Sequence, residues 1–456
     1  MRMKLRLIDR EVTSVDTREG RLTLWALFVP LFIEQLLMNL MGTVNTLVLG
    51  HYSDEAVAAV GAANQVVSLV FTFYAVISGG TSIVISHRLG AGKKKEASDA
   101  AFTSLCFSAA LSLVCSLVLA AFAQPLMKLL NLQGEVLSMA VKYFQIVIGF
   151  SVMQGVISAA SAILRSYGKP KLAVGASVLM NAVNALLNYL VVFQPVRLPV
   201  SGAEGIGIAN VIAHGAAMAM ILICLWTAKL DLRFHEKNKK TLRCLPSILK
   251  VGVPGGVSSL SYSLSQVVST SILGVLGTVA LSAKVYISSI VFYVYVVGMA
   301  LGLSTSILMG WMTGAKEYDK AYRLNQQVLK LAVSLNIVLS VLLFLFYKPV
   351  LGLFTRNAEI IGIARTVLFI DIFVEIGRAF NHVEDNSLRG AGDVMFPMVV
   401  SVVSCWLMSI LFSYILGIRL GLGLAGCWIA FMLDELFRGL SFWKRFRSKK
   451  WMEKKV

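Results

Sequence analysis

Apolar runs of about 20 residues, each long enough for an α-helix to cross a bilayer, constrain this chain more than any other feature. Only 14% of its 456 residues are charged, whereas an average soluble domain has about 25%. A soluble globule is therefore excluded. Disorder is excluded because the chain is rich in aromatic and branched apolar residues. The pattern predicts an all-α polytopic membrane protein.

Glycine, proline and charged interruptions divide these runs into twelve predicted spans. Because the bilayer core offers no water to backbone groups, a span of this composition forms a helix. We place the helices near 24–50, 56–86, 99–123, 138–166, 171–193, 204–227, 248–276, 281–310, 324–347, 362–389, 394–416 and 422–443.

The basic residues predict the orientation of the spans. The chain has 42 Lys and Arg against 24 Asp and Glu, and most of the basic residues lie in the termini and in alternate loops. This distribution follows the positive-inside rule, so we expect both termini to be cytoplasmic. It also accounts for the positive charge without a nucleic-acid partner.

The two halves of the chain are copies at a constant offset of 224 residues. The offset relates Pro30 to Pro254, Gly90-Ala91 to Gly314-Ala315, and Leu164-Arg165 to Leu388-Arg389. Each copy has six spans, so both enter the bilayer in the same sense. Parallel repeats of this kind are typical of transporters with a site between two bundles. We predict two six-helix bundles around a central cleft, with a cytoplasmic arm at 1–23, bundles at 24–227 and 248–443, a linker at 228–247 and a basic tail at 444–456.

Cysteine and histidine give no sign of a metal, disulfide or catalytic site. The six cysteines form no CxxC pair, which argues against a zinc site or a disulfide framework. The five histidines lack metal-ligand spacing such as HExxH. An intramembrane enzyme is therefore disfavoured, and no cofactor or signal peptide is expected.

Polar residues in the first and fifth spans form one candidate site. Glu34 follows Pro30 by one turn, deep in the first span, where an ionisable residue is costly and thus a functional candidate. Asn45 returns to the same helix face. One face of the fifth span carries Asn181, Asn184 and Asn188. Two alternatives remain open: Glu34 caps backbone freed by the Pro30 kink, and the asparagines only join helices.

The tenth span carries a second candidate site. Its polar residues follow the rhythm of one helical face: Asp371, Glu375, Arg378, His382 and Asp385. Glu375 and Arg378 lie near mid-depth, so engagement of the guanidinium can set whether the carboxylate holds a proton. In the alternative interpretation, the two residues form a permanently closed ion pair that only holds the bundle together.

Two further acids lie in the last span. Asp434 and Glu435 are near Arg438 and close to the basic end of the chain. We interpret them as solvated anchors at the cytoplasmic surface.

Several motifs resemble the MATE (multidrug and toxic compound extrusion) transporters over residues 24–440. The segment from Pro30 through Asn45-Thr46 and Gly50 to Ser53-Asp54-Glu55-Ala56 and Asn64-Gln65 is similar to the opening signature of that family. Leu388-Arg389-Gly390-Ala391-Gly392-Asp393 resembles its signature after the tenth span. The resemblance implies export of cationic, often aromatic compounds in exchange for inward H+ or Na+.

The chain departs from the family pattern at Asn45 and Asn188, where many members have aspartates that bind the coupling cation. Asparagine takes up no proton at physiological pH. The remaining candidates for cation coupling are Glu34, Asp371, Glu375 and Arg378. The candidate pocket for substrate or cation comprises Pro30, Gln35, Asn45, Gln65, Asn181, Asn184, Asn188 and His382.

We therefore hypothesise a monomeric secondary antiporter in the cytoplasmic membrane, whose partners are small cationic or amphipathic molecules and the lipid bilayer. The alternative is a flippase for lipid or lipid-linked oligosaccharide, which belongs to the same broad superfamily. A pyrophosphate headgroup needs a cationic cavity, and among the candidates in the spans only Arg378 is basic.

Overall fold

The computed structural model describes residues 9, 11–17, 20–50, 53–130, 132–194, 202–228, 230 and 244–454, without the side chains of 43–50 and 54. Most of the predicted linker and the side chain of Asn45 lie outside the described residues.

A small β-hairpin precedes the first helix. Strands β1 (Ser14–Thr17) and β2 (Gly20–Thr23) are antiparallel, with Ser14 opposite Thr23. The side chains of Val15 and Leu22 are buried. The N–H of Leu24 donates to the Thr13 carbonyl at 2.8 Å, so the chain passes directly from the hairpin into the helix.

The N-terminal half is helical throughout the described residues after the hairpin, apart from short connections. Its helices are α1 (Leu24–Gly50), α2 (Asp54–Gly90), α3 (Lys94–Ala121), α4 (Ala123–Leu129), α5 (Gly134–Gly149), α6 (Val152–Ser166), α7 (Pro170–Phe193) and α8 (Gly202–Thr227). The predicted fourth span is broken, because α5 and α6 meet at an angle of 44°.

The C-terminal half repeats this order, with the single helix α13 in place of the bent α5–α6 pair. Its helices are α9 (Cys244–Val275), α10 (Thr278–Gly314), α11 (Tyr318–Leu345), α12 (Tyr347–Gly352), α13 (Ala358–Gly390), α14 (Met395–Ser404) and α15 (Gly423–Arg447). The predicted eleventh span continues after α14 as π-helix over Cys405–Leu411 and Ser413–Arg419. Asn357 caps α13, since its Oδ1 accepts from the N–H of Glu359 at 2.9 Å.

The all-α fold is confirmed. Each of the twelve predicted spans corresponds to a described helix, to the bent α5–α6 pair or, for the eleventh, to α14 with its π-helical continuation. In the described part of the chain, eight helices are long and apolar enough to cross a membrane, and the bent α5–α6 pair makes a ninth. The other three long helices are α9, which is rich in serine, and α13 and α15, which carry buried charges.

The chain forms two compact units. One comprises Val29–Ile85 and Lys93–Gly256, and its apolar core includes Tyr143 and Phe144. The other comprises Val257–Val456 with Met1–Phe28 and Ser86–Gly92, and its core includes Trp428. The domain boundaries predicted from the sequence stay a prediction.

A pair of glycines related by the repeat lies at a close helix contact in the second unit. A Cβ on Gly90 would collide with the backbone of Trp311, and a Cβ on Gly314 would collide with the backbone of His87. Both pairs obey the 224-residue offset, because Trp311 is the repeat equivalent of His87. The ends of α2 and α10 therefore meet backbone to backbone, symmetrically.

Alanine at either glycine is expected to destabilise the protein. The added methyl group meets backbone that cannot turn aside, so we expect Gly90→Ala and Gly314→Ala each to cost about 1–3 kcal/mol. Thermal unfolding of the purified protein measures this loss. Gly362→Ala is the matched control, since nothing lies within 4 Å of its added Cβ. Equal unfolding temperatures for all three variants would contradict the tight contact.

Candidate functional site

Helix α13 carries a row of buried or half-buried ionisable side chains. The i, i+4, i+7 spacing places Asp371, Glu375 and Arg378 on one face, as predicted. The side chain of Glu375 is 0% exposed and that of Asp371 is 2% exposed. A buried charge is stable only when it is paired or hydrogen-bonded. The partners of these side chains therefore determine whether they can bind a proton or a cation.

The carboxylate of Glu375 is held from two helices. Its Oε1 forms an ion pair with Nη1 of Arg378 on the same helix. Its Oε2 accepts from Nδ2 of Asn336 on α11 at 3.0 Å. Gly298 on α10 lies beside that amide: a Cβ there would be in ordinary contact with Asn336 Nδ2, at 3.4 Å. Both oxygens of Glu375 are thus occupied.

Arg378 connects α13 to α15 and α10. Its Nε lies 3.7 Å from Oε1 of Glu435 on α15. Its Cζ lies 4.8 Å from the ring centre of Tyr295 on α10, within the range of a cation–π contact. The ring of His382 stacks on Tyr295 at 6.2 Å between centres. The predicted pocket residue His382 is therefore in the surroundings of Arg378.

The interpretation of Asp434 and Glu435 as solvated anchors is wrong. Both are buried on α15, where Nη2 of Arg438 lies 2.7 Å from Oδ2 of Asp434 and 2.9 Å from Oε1 of Glu435. Ser404 donates to Oδ1 of Asp434 at 2.5 Å, and Asn381 donates to Oε2 of Glu435 at 2.7 Å. The side of α15 that carries these acids packs against α13 and α14, so it is enclosed by protein.

Ion pairs join Glu375, Arg378, Glu435, Arg438 and Asp434 into one charged network, and Asp371 interacts electrostatically with Arg378; we call these six residues the ionic cluster. Asp371 is held by Nε1 of Trp428, which donates to its Oδ1 at 2.9 Å. Four carboxyl groups therefore face two guanidinium groups. The formal surplus of negative charge gives the cluster the capacity to take up protons or a cation.

The N-terminal repeat has no counterpart to this charge. The equivalent positions at the 224-residue offset hold Val147, Ser151, Gln154, Asn210, Val211 and His214. Where Glu375 pairs with Arg378, Ser151 shares a hydrogen bond of 3.0 Å with the hydroxyl of Tyr74. The repeated fold therefore packs without carboxylates at these positions. Comparing the two copies in sequence alone would have singled out Asp434 and Glu435 by this difference.

The asparagines of α7 belong to a neutral hydrogen-bonded chain in the N-terminal half. Nδ2 of Asn188 donates to Oδ1 of Asn184 at 3.0 Å, and Nδ2 of Asn184 donates to Oδ1 of Asn210 at 2.5 Å. Nδ2 of Asn210 then donates to the Tyr143 hydroxyl at 3.1 Å, which donates to Oδ1 of Asn64 at 3.0 Å. This agrees with the alternative that the asparagines join helices.

The remaining predicted pocket residues are dispersed. Asn181 donates to the carbonyl of Ser177 on its own helix at 2.9 Å. Pro30 is buried within α1, Gln35 is half-buried and Gln65 is exposed. The side chain of Asn45 lies outside the described residues, so the predicted polar pocket between the first and fifth spans stays a prediction.

Glu34 is engaged in an ion pair. Its Oε2 lies 2.9 Å from Nη1 of Arg165 on α6, and its side chain is buried. The repeat equivalents differ: Nη2 of Arg389 donates to Oγ of Ser258 at 3.2 Å. Arg389 takes its carboxylate from Asp385, at 2.7 Å on its own helix. Each copy thus has an arginine at this position, whereas the acidic partner comes from another helix in one copy and from the same helix in the other.

Comparisons with known proteins agree with this architecture. The family model MatE matches residues 30–190 and 254–415. The "Uncharacterized transporter YisQ" of Bacillus subtilis is 36% identical over 433 residues, covering 95% of each chain. The "Probable multidrug resistance protein NorM" of Thermotoga maritima is 26% identical over 461 residues, covering 100% of this chain and 98% of the relative.

Solved structures show the same fold. An outward-facing multidrug resistance MATE family transporter of the MOP superfamily has a TM-score of 0.86 at 22% identity, with 94% of this chain and 96% of that chain covered. A MOP superfamily transporter from Pyrococcus furiosus has a TM-score of 0.85 at 21% identity, with the same coverage.

Proposed function

The chain belongs to the MatE family of membrane proteins, and from this premise we propose that it is a secondary antiporter. It exports cationic or aromatic small molecules across the cytoplasmic membrane, in exchange for inward H+ or Na+. Its two six-helix bundles act by alternating access. The names of related multidrug resistance proteins support small-molecule export, and the distribution of basic residues supports cytoplasmic termini.

The observation that carries the coupling proposal is the ionic cluster in the C-terminal half. Binding of a proton or a cation by Glu375 or Asp371 neutralises part of the surplus buried charge. Such a change favours a different packing of the helices that enclose the carboxylates, because each packing tolerates a different charge. Since α13 meets α10, α11 and α15 at the cluster, a change of charge there acts on four helices.

The uncharged asparagines of the N-terminal half also favour placing the coupling site in the C-terminal half. Asparagine at Asn184 and Asn188 can donate and accept hydrogen bonds but binds no proton at physiological pH. Glu34 forms a one-to-one ion pair with Arg165, so this pair has no surplus of negative charge, unlike the ionic cluster. We therefore assign the coupling step to Asp371, Glu375 and Arg378, and a structural role to the Glu34–Arg165 pair.

Reconstitution tests the antiport directly. In proteoliposomes loaded with a fluorescent organic cation, we expect a pH gradient or a Na+ gradient, imposed separately, to drive transport of the dye against its concentration. Liposomes without protein and proteoliposomes without a gradient are the controls. Transport that is equal with and without each gradient would contradict coupling, and dye retention under both gradients would contradict export.

A further inference from the structure

Glu384 is a buried carboxyl group that the ionic cluster does not include. It lies on α13 about two turns before the end of that helix, and its side chain is 0% exposed. Its Oε2 accepts from Nδ2 of Asn325 on α11 at 3.1 Å. Its Oε1 is buried and has no hydrogen-bond partner among the described residues. Nδ2 of Asn325 also donates to Oγ of Ser387 at 3.0 Å.

No described basic group forms an ion pair with Glu384. Arg447 on α15 interacts electrostatically with Glu384, but its side chain is exposed. Its Cζ lies 4.3 Å from the ring centre of Trp443. Arg323 and Lys330 on α11 are also exposed. On its own helix, the neighbouring Asp385 already pairs with Arg389. The buried segment 301–312 of α10 contains no ionisable residue.

These surroundings favour the neutral acid. A fully buried carboxylate that has one amide donor and no ion-pair partner is far more costly than a neutral carboxyl group in the same place, so such a group takes up a proton. We propose that Glu384 is a proton-binding site distinct from the ionic cluster. The proton is on Oε1, Oε2 accepts from Asn325, and the proton leaves when α11 and α13 part enough to admit water.

The N-terminal repeat shows that the helix contact itself does not require this acid. The equivalents of Asn325, Glu384 and Ser387 at the 224-residue offset are Ala101, Ala160 and Ile163. All three are 0% exposed in the contact between α3 and α6. Methyl groups thus fill the position in one copy, whereas the other copy buries an ionisable group.

The Glu384 site is separate from Glu375. Nine residues along α13 correspond to about 13 Å at 1.5 Å per residue. Glu375 is bound by a guanidinium, whereas Glu384 is bound only by the neutral Asn325. The two carboxyl groups therefore exchange protons under different conditions. The proton at Glu384 belongs to the resting protein, so the site stands whether or not the proposed antiport is correct.

Infrared spectroscopy of the purified full-length protein, without substrate or gradient, tests the inference. The difference between the spectra of acidic and alkaline samples shows the carbonyl bands of carboxyl groups that lose a proton. We expect one band of a buried carboxyl group to be present in the unmodified protein and absent from Glu384→Gln. The band remains in Asp385→Asn, the matched control on the same helix. Retention of every such band in Glu384→Gln would overturn the proposal.

A second variant keeps the test decisive if Glu384→Gln fails to fold. Asn325→Leu leaves the carboxyl group in place but removes the hydrogen bond to Oε2. We expect the same band to move to higher frequency, as for a carbonyl that has lost a donor. An unshifted band would show that the proton is held elsewhere and would refute the assignment to Glu384.

Discussion

Replacing Glu375 with glutamine is expected to abolish gradient-driven efflux while the protein still inserts and folds. Glutamine keeps the shape of the side chain and can still accept from Asn336, but it can neither bind a proton nor carry the charge that pairs with Arg378. If Glu375 carries the coupling ion, the efflux rate falls to that of liposomes without protein. Dye efflux from proteoliposomes measures the rate, and gel filtration in detergent verifies the fold.

Glu359→Gln is the matched control for this experiment. It makes the same substitution in the same helix, α13, at an exposed position, and we expect it to transport at the wild-type rate. The competing interpretation is a permanently closed ion pair between Glu375 and Arg378. That interpretation predicts a lower unfolding temperature for Glu375→Gln but normal efflux from the folded fraction. Efflux at the wild-type rate would therefore exclude Glu375 as the coupling residue.

The fold is largely predictable from the sequence because few backbone structures are stable in the lipid bilayer. An apolar run of spanning length must satisfy its backbone internally, so helix positions follow from composition. The sequence does not predict the break near Phe150 or the π-helical continuation after Ser404, since neither segment contains a proline. Both features depend on how neighbouring helices pack, and the sequence of one apolar stretch does not contain that information.

The site was predictable along one helix but not between helices. The heptad-like spacing of Asp371, Glu375 and Arg378 predicts a common face; in the structure Asp371 and Glu375 are buried and Glu375 pairs with Arg378. Their partners on α11 and α15 depend on tertiary packing. Asp434 and Glu435 were misassigned because they lie near a basic, water-exposed run in sequence, although their helix face is covered by protein.

Replacing Arg438 with methionine is expected to give a large loss of stability. Arg438 is buried between Asp434 and Glu435, at 2.7 and 2.9 Å. Methionine retains much of the volume but leaves two buried carboxyl groups beside each other without that guanidinium. Removing one partner of a buried pair costs about 3–5 kcal/mol. The measurement is the free energy of unfolding in detergent at neutral pH.

The pH dependence of Arg438→Met separates an electrostatic cause from lost packing. Asp434, which loses its basic partner, and Glu435, which keeps only Arg378, can be neutralised by protons. The loss of stability should therefore shrink in acid and grow as pH rises, because the folded variant then binds more protons than the unfolded chain. Adding Glu435→Gln should recover part of the loss. Lys444→Met, at an exposed position on the same helix, should change stability by no more than about 0.5 kcal/mol. A deficit of Arg438→Met that is constant with pH would mean that packing, not charge, holds this part of α15 in place.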